Sequence, residues 1–457
     1  MDITEHYFDK PGEECGICAV SGNPESAKLA YLGLYALQHR GQESAGIAAT
    51  DGQNLRCHTG TGVVADVFKR KNLEALPGHT AIGHVRYSTT GSLMQQNAQP
   101  LIANYKGGRV AIAHNGNLTN AWLLKKELES RGAIFQSSTD SELLLHLIAQ
   151  STSIDFEEAL YSSLIRLKGS YSIVLMRENQ LYAMRDPRGF RPLCFGKVDN
   201  TYVFASESCA LDIIGAHLIR ELKPGEIIKV CDGEISYATP FAQEDPSFCV
   251  FEYIYFSRPD SIIEGKSVYN IRHSLGEQLA REHPVEADMV IPVPDSSNPS
   301  ALGYAKESGI PFEFGLIRSH YIGRTFIQPS QNIRDFGARI KYNAVRGLLA
   351  GKRVVVVDDS IVRGTTSRQI VTMVRNAGAS EVHFRSSAPP WVYPCYFGID
   401  TPIEKELIAN VKNVEDIRKF IDVITHLKLS SFPAVREAAA RLGVAAITIY
   451  DEADMMV

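Results

Sequence analysis

The sequence predicts two folded units in series: a layered α+β domain to about residue 240, then a doubly wound α/β domain. Three observations carry that expectation. The first half mixes many short strand-like segments with a few helical ones, without strict strand–helix–strand alternation. The second half alternates strand and helix regularly. Within it, Val354-Val355-Val356-Val357 set four β-branched residues in a row, flanked by Gly351 and cut off by Asp358. That is the pattern of a strand buried on both faces of a parallel sheet.

Taken in order, strands are expected at 46–50, 80–87, 110–114, 171–177, 181–185 and 201–206, with amphipathic helices at 27–38, 121–131, 141–149 and 154–167. The boundary falls in 240–246, a stretch carrying prolines and acidic residues. Beyond it, a helix is expected at 267–283, a strand at 289–293, a helix at 299–308, the valine strand at 354–357, a helix at 367–375 and a strand at 381–385. A last helix is expected at 434–442, with Ser431 as its cap, Pro433 in its first turn and Gly443 at its end.

Composition narrows the class. Apolar residues make up 44% and charged residues 22% of 457, and the net charge is −5, so a nucleic-acid-binding surface is not indicated. No apolar run approaches the ~18 residues of a membrane span, and the acidic first 14 residues are the wrong chemistry for a secretory signal. Eight scattered cysteines fit a reducing cytosol better than a disulfide scaffold, so a cytoplasmic protein is expected.

Asp358-Asp359-Ser360-Ile361-Val362-Arg363-Gly364-Thr365-Thr366 begins where the valine strand ends. In open α/β sheets ligands bind at that end. Gly364 lets backbone approach closely, and Thr365, Thr366 and a following helix N-terminus supply donors for a phosphate. The paired carboxylates can accept from ribose hydroxyls and help hold a divalent cation. A solvated acidic turn is the plain alternative. Gly265-Lys266-Ser267 has Asp260 where a P-loop would begin with glycine, and is taken as chance.

The run resembles the ribose-phosphate motif of type I phosphoribosyltransferases, which use 5-phosphoribosyl 1-diphosphate (PRPP). The resemblance implies that Asp358 and Asp359 meet the ribose and Mg²⁺, and that Ser360, Arg363, Gly364, Thr365 and Thr366 wrap the 5-phosphate. It also implies that Asp295, Ser296 and Ser297, after Ile291-Pro292-Val293-Pro294, form a diphosphate loop with Ser296 near the metal. The basic stretch 318–346, with Arg324, is either a solvated surface or, by the same resemblance, a flap that closes over PRPP.

The first half carries polar clusters in sequence: Glu13-Glu14-Cys15, Leu37 to Gly46, Gly83 to Thr89, His114-Asn115-Gly116-Asn117 and Ser138 to Glu142. Any one alone has a bland reading: an inert cysteine, a surface turn at Asn115-Gly116, a helix N-cap at Asp140. As an ordered set they resemble the class II glutamine amidotransferases, which are N-terminal-nucleophile hydrolases. That resemblance implies Cys15 as nucleophile, freed by removal of residues 1–14, with its own α-amine as base. Asn115 and Gly116 are the implied oxyanion donors, and Arg86, Thr89 and Asp140 the implied glutamine-binding groups. The implied units are thus a propeptide at 1–14, a glutaminase at 15–240 and a phosphoribosyltransferase at 247–457.

The pairing of these two domains resembles the amidophosphoribosyltransferase family, which implies synthesis of 5-phosphoribosylamine from PRPP and glutamine. It further implies a homotetramer inhibited by purine nucleotides. A catalytically silent PRPP- or nucleotide-sensing regulator on the same fold is the alternative, against which the complete glutaminase set argues. Many relatives hold a [4Fe–4S] cluster on four cysteines. Cys249 and Cys395 match two of those positions, and no cysteine follows Cys395, so no cluster is expected here.

Overall fold

The computed structural model describes residues 15–87, 95–242, 244–319, 341–399, 404–423 and 427–431, with Pro433, Val435, Glu437 and Arg441 beyond them. Strands of the first domain are β1 (Gly16–Ser21), β2 (Ser44–Thr50), β3 (Leu55–Thr61), β4 (Thr80–Arg86), β5 (Leu101–Tyr105), β6 (Gly108–Leu118) and β7 (Gly169–Arg177). They continue as β8 (Gln180–Arg185), β9 (Cys194–Val198), β10 (Thr201–Ala205), β11 (His217–Glu221), β12 (Ile227–Cys231) and β13 (Glu234–Ala238). Two antiparallel sheets result, ordered β11-β9-β10-β1-β4-β2-β3 and β13-β12-β8-β7-β6-β5.

Alternation along each strand sorts side chains between two cores. Ile17 and Ala19 of β1 join Ala111, Ala113, Val174 and Met176 in a core between the sheets. Cys18 and Val20 face the other way, against α1 (Ser26–Ala36). The second sheet buries Ile112, Ile173 and Leu175 against α2 (Ala121–Ser130), α3 (Ser141–Gln150) and α4 (Phe156–Leu164). The layers therefore run helix, sheet, sheet, helix.

In the second domain, α5 (Val268–Glu282) and α6 (Asn298–Ser308) accompany a parallel sheet of β14 (Met289–Pro292), β15 (Arg353–Asp358), β16 (Glu381–Ser386) and β17 (Leu427–Leu429), in that order. α7 (Thr365–Asn376) follows β15. Val354 and Val356 enter one apolar cluster with Ile370 and Val374, while Val355 and Val357 enter another with Ala301 and Tyr304. This is why the strand is valine throughout: both of its faces are core. Among the described residues no helix is long and apolar enough to cross a membrane.

One expectation needs correcting. Residues 110–114 are only part of β6, which runs on through His114, Asn115, Gly116 and Asn117, so the surface-turn alternative at Asn115-Gly116 fails. Gly265-Lys266-Ser267 behaves as the chance match it was taken for: Lys266–Ser267 forms a small hairpin strand, and the Ser267 side chain caps α5 by accepting from Asn270 N–H at 3.3 Å. Pro433, Val435, Glu437 and Arg441 are helical, as expected of that stretch.

Candidate active sites

Cys15 directly precedes β1, whose pairing with β4 sets Gly16 opposite Val85 and so carries the thiol to the end where Arg86 sits. The thiol donates to the Tyr87 carbonyl at 3.6 Å. Burial pushes it up to about 11, against the pull of that hydrogen bond and of Arg86. Gly41 lies against this strand end, where a Cβ would fall 2.6 Å from the Arg86 backbone.

Cys15, Arg86, Tyr87, Gln99, His114, Gly116, Thr139, Asp140 and Ser141 line one cleft. Asp140 holds the N-cap position of α3, yet its side chain makes no capping bond. Its carboxylate instead accepts from Leu118 N–H at 2.8 Å and lies 3.5 Å from His114 Nδ1. Burial opposes the charged form, but the His114 imidazole and these hydrogen bonds outweigh it and hold the carboxyl below its usual range. The side-chain amide nitrogen of Asn115 is buried without a hydrogen-bond partner. A donor in that condition costs about 1–3 kcal/mol, which a functional acceptor can offset.

Several residues in this cleft or bonded to its lining escaped the sequence reading. Gln99 accepts from His114 N–H at 2.8 Å and donates to Ser141 Oγ at 3.0 Å, locking β6 to the start of α3. His84 Nε2 bonds the His114 carbonyl at 3.0 Å, and burial lowers its pKa to about 3, so it is neutral. His84 and His114 stood inside motifs already singled out, whereas Gln99 had no signal beyond preceding Pro100.

In the second domain two distant motifs converge. Asp358 and Asp359 are each 1% exposed at the end of β15. Ser297 Oγ donates to Asp358 at 3.2 Å, Ser296 Oγ to Asp359, and Ser360 Oγ to Asp359 at 2.8 Å. Val293 N–H bonds the Val357 carbonyl at 2.9 Å, which holds the two strand ends level. Arg272 of α5 acts electrostatically on Asp359, and its own guanidinium is lowered to about 10 by burial. Gly364, at φ +79°, turns the chain into α7 so that Thr365 and Thr366 begin that helix.

Other expected members stand apart. Asp295 pairs with Arg318 at 2.9 Å, and Arg363 pairs with Glu406 at 2.9 Å. Thr89 and Arg324 lie outside the described residues. Cys249 and Cys395 border one apolar cluster that includes Val362 and Trp391. Among the described residues, no three His, Cys, Asp or Glu side chains converge as a ready-made metal cage.

A fully buried ionic network joins the domains, and the sequence reading did not single it out. Arg40 bonds both Glu207 and Glu252, and Glu252 lies 3.7 Å from Arg191. Ser261 Oγ and Arg258 N–H add to Glu207, at 2.6 and 2.9 Å. Arg272 donates to the Tyr253 and Ser257 carbonyls at 2.6 and 2.8 Å, which links this network to the Asp359 site.

Fold and site together define a glutamine amidotransferase joined to a phosphoribosyltransferase. Residues 84–212 match the family model of the glutamine amidotransferase domain, and 262–406 that of the phosphoribosyl transferase domain. The chain is 53% identical over 415 residues to amidophosphoribosyltransferase 1, chloroplastic, of Arabidopsis thaliana, covering 90% of this chain and 73% of that one. It is 50% identical over 414 residues to the amidophosphoribosyltransferase of Bacillus subtilis, covering 90% and 87%. The solved B. subtilis PRPP amidotransferase, complexed with ADP and GMP, matches with a TM-score of 0.89 at 48% identity, over 96% of this chain and 94% of that one.

The chain belongs to the amidophosphoribosyltransferase family. It makes 5-phosphoribosylamine, glutamate and diphosphate from PRPP, glutamine and water, the first step of de novo purine synthesis. Nothing in these comparisons favours the silent regulator.

Proposed function

We propose that the cleft around Cys15 releases ammonia from glutamine and that the Asp358–Asp359 site transfers it to PRPP. The observation that carries the first half is the buried, unpartnered amide of Asn115, on the strand that also brings Gly116 into the cleft with Cys15. Removal of residues 1–14 gives Cys15 a free α-amine near pKa ~8, able to take the thiol proton. The thiolate then adds to the side-chain carbonyl of glutamine, and the oxygen becomes an oxyanion held by Asn115 Nδ2 and Gly116 N–H. Collapse returns the proton to the leaving nitrogen, expels ammonia and leaves a thioester, which water hydrolyses to glutamate. Arg86 and Thr89 hold the substrate carboxylate, and the ionised Asp140 holds its ammonium.

In the second site Asp358 and Asp359 accept from the ribose hydroxyls. Ser360, Arg363, Gly364, Thr365, Thr366 and the N-terminus of α7 receive the 5-phosphate. Asp295, Ser296 and Ser297 face the diphosphate, and Arg324 is a further PRPP-binding residue. The donor set of carboxylates and hydroxyls is hard oxygen, which fits Mg²⁺, and substrate phosphates complete such coordination where no protein cage exists. Ser296, Asp358 and Asp359 would hold Mg²⁺, which would supply positive charge to the diphosphate. Ammonia attacks the anomeric carbon as diphosphate leaves.

The reading extends to inhibition by purine nucleotides, supported by the ADP and GMP bound to the B. subtilis relative, and to a cytoplasmic homotetramer, which rests on the family resemblance alone. It extends also to a chain without a [4Fe–4S] cluster, because Cys249 and Cys395 offer two thiolates where four are usual. The Cys15→Ala variant tests the division of labour. Glutamine-dependent synthesis should fall at least ~1,000-fold while synthesis from PRPP and high ammonia persists, and intact mass of the active enzyme should begin at Cys15. A folded variant lacking both activities, or active enzyme retaining Met1, would refute it.

A further inference from the structure

We propose that the turn from Cys395 to Gly398, supplied by the phosphoribosyltransferase domain, is a positioning element of the glutaminase that braces its oxyanion strand. The inference rests on the assignment of Asn115 and Gly116 as oxyanion donors, and goes beyond it by adding residues from the other domain.

Five contacts converge on the same few residues. Asn117 Nδ2 donates to the Tyr396 carbonyl at 2.8 Å. The Phe397 carbonyl accepts from Ser170 Oγ at 2.5 Å and from Arg191 Nη2 at 2.6 Å. Ser170 Oγ also accepts from Asn117 N–H at 3.3 Å, so one hydroxyl ties the oxyanion strand to the turn. The Phe397 and Phe190 rings stack, 4.5 Å between centroids and 19° from parallel.

Gly398 completes the fit. It sits at φ +102°, and a Cβ there would lie 3.1 Å from the Gly116 carbonyl carbon and 3.4 Å from the Asn117 nitrogen. Backbone of one domain is thus packed directly on the peptide that follows the oxyanion residue of the other. The far side of the turn is anchored as well, since Cys395 borders the apolar cluster of Val362, Trp391, Ile399 and Leu407. Arg191, which holds Phe397, is itself 3.7 Å from the buried Glu252.

Oxyanion stabilisation depends on donors held within a few tenths of an ångström, and one such donor is worth about 10²–10³ in rate. A turn that fixes Asn115–Asn117 from behind should therefore act on kcat and leave glutamine affinity alone. The test compares Gly398→Ala, Ser170→Ala and Asn115→Ala, each assayed with glutamine and with ammonia. For Gly398→Ala we expect glutamine-dependent kcat to fall about 10- to 100-fold, with KM for glutamine within about twofold and ammonia-dependent synthesis unchanged. Ser170→Ala, which adds no bulk and keeps φ unstrained, should show a smaller loss of the same kind. Unchanged glutaminase in both variants, or equal loss of both activities, overturns the brace. If Asn115→Ala lowers kcat while the other two do not, the oxyanion assignment stands and the brace alone falls. If Asn115→Ala has no effect, the assignment itself falls and the brace with it.

Discussion

Asp140 shows how little a residue's position says about its work. It occupies a helix N-cap, where an aspartate would ordinarily bond the first turn, but its carboxylate is turned to Leu118 N–H and His114. Asp140→Asn should raise KM for glutamine about 10- to 100-fold, the loss of one charge-assisted bond, with kcat less affected. Because its pKa is depressed, the carboxylate stays charged until pH falls below the usual carboxylate range. KM for glutamine should accordingly stay flat from about pH 7 down to about pH 5.5, measured under constant ionic strength. In the other site, Asp358→Asn or Asp359→Asn should raise KM for PRPP at least ~10-fold and leave glutamine hydrolysis largely intact, since both carboxylates are buried among hydroxyl donors. Glutamate release that collapses in step with PRPP use would count against that assignment. Asp358, Asp359 and Cys15 were legible because each stands in a contiguous motif or an ordered set of motifs, although Ser296, Ser297 and Tyr87 reach them only through folding. Gln99 was not, because its partners His114 and Ser141 reach it only through folding.

At the scale of elements, β6 is the instructive case. Asn-Gly-Asn reads locally as a turn, yet pairing with β7 continues in register from Ala111 opposite Met176 to Leu118 opposite Gly169. A partner strand that satisfies the backbone overrides local turn preference. The same dependence on partners governs the ionic network beneath the domain junction. Removing Arg40, as in Arg40→Met, takes away the cation that the buried Glu207 and Glu252 share and should cost about 3–5 kcal/mol in urea denaturation. Burial opposes the Glu207 carboxylate, but Arg40, His39 and Ser261 hold its pKa far below the usual range. Its stabilisation is therefore complete above the unfolded pKa of about 4.3 and is lost as pH falls through the folded value. The stability gap between the parent and Glu207→Gln should be widest near pH 6–7 and narrow below about pH 4; a gap independent of pH would contradict the linkage.

Across the whole molecule the two chemistries are assigned to separate domains that share a hydrogen-bonded, ion-paired seam. Arg40, Glu252 and Arg272 form part of it, and the turn at Tyr396–Gly398 forms another. Cys249 and Cys395 border an apolar cluster of aromatic and aliphatic side chains. Anaerobically purified enzyme should contain well under one iron and one sulfide per chain. Four of each would mean that further ligands exist, since two thiolates do not hold such a cluster.

The order of domains, the valine strand with its two carboxylates, and the spaced glutaminase motifs are all properties of local sequence. Each is written in short runs of adjacent residues, and it is their order along the chain that removes the bland alternatives. The burial of five charged groups at the seam, the role of Gln99, and the seating of Gly398 against Gly116 were decided only by the tertiary fold. A buried charge or a glycine contact takes its meaning from the atom across from it, and those partners lie tens to hundreds of residues away along the chain.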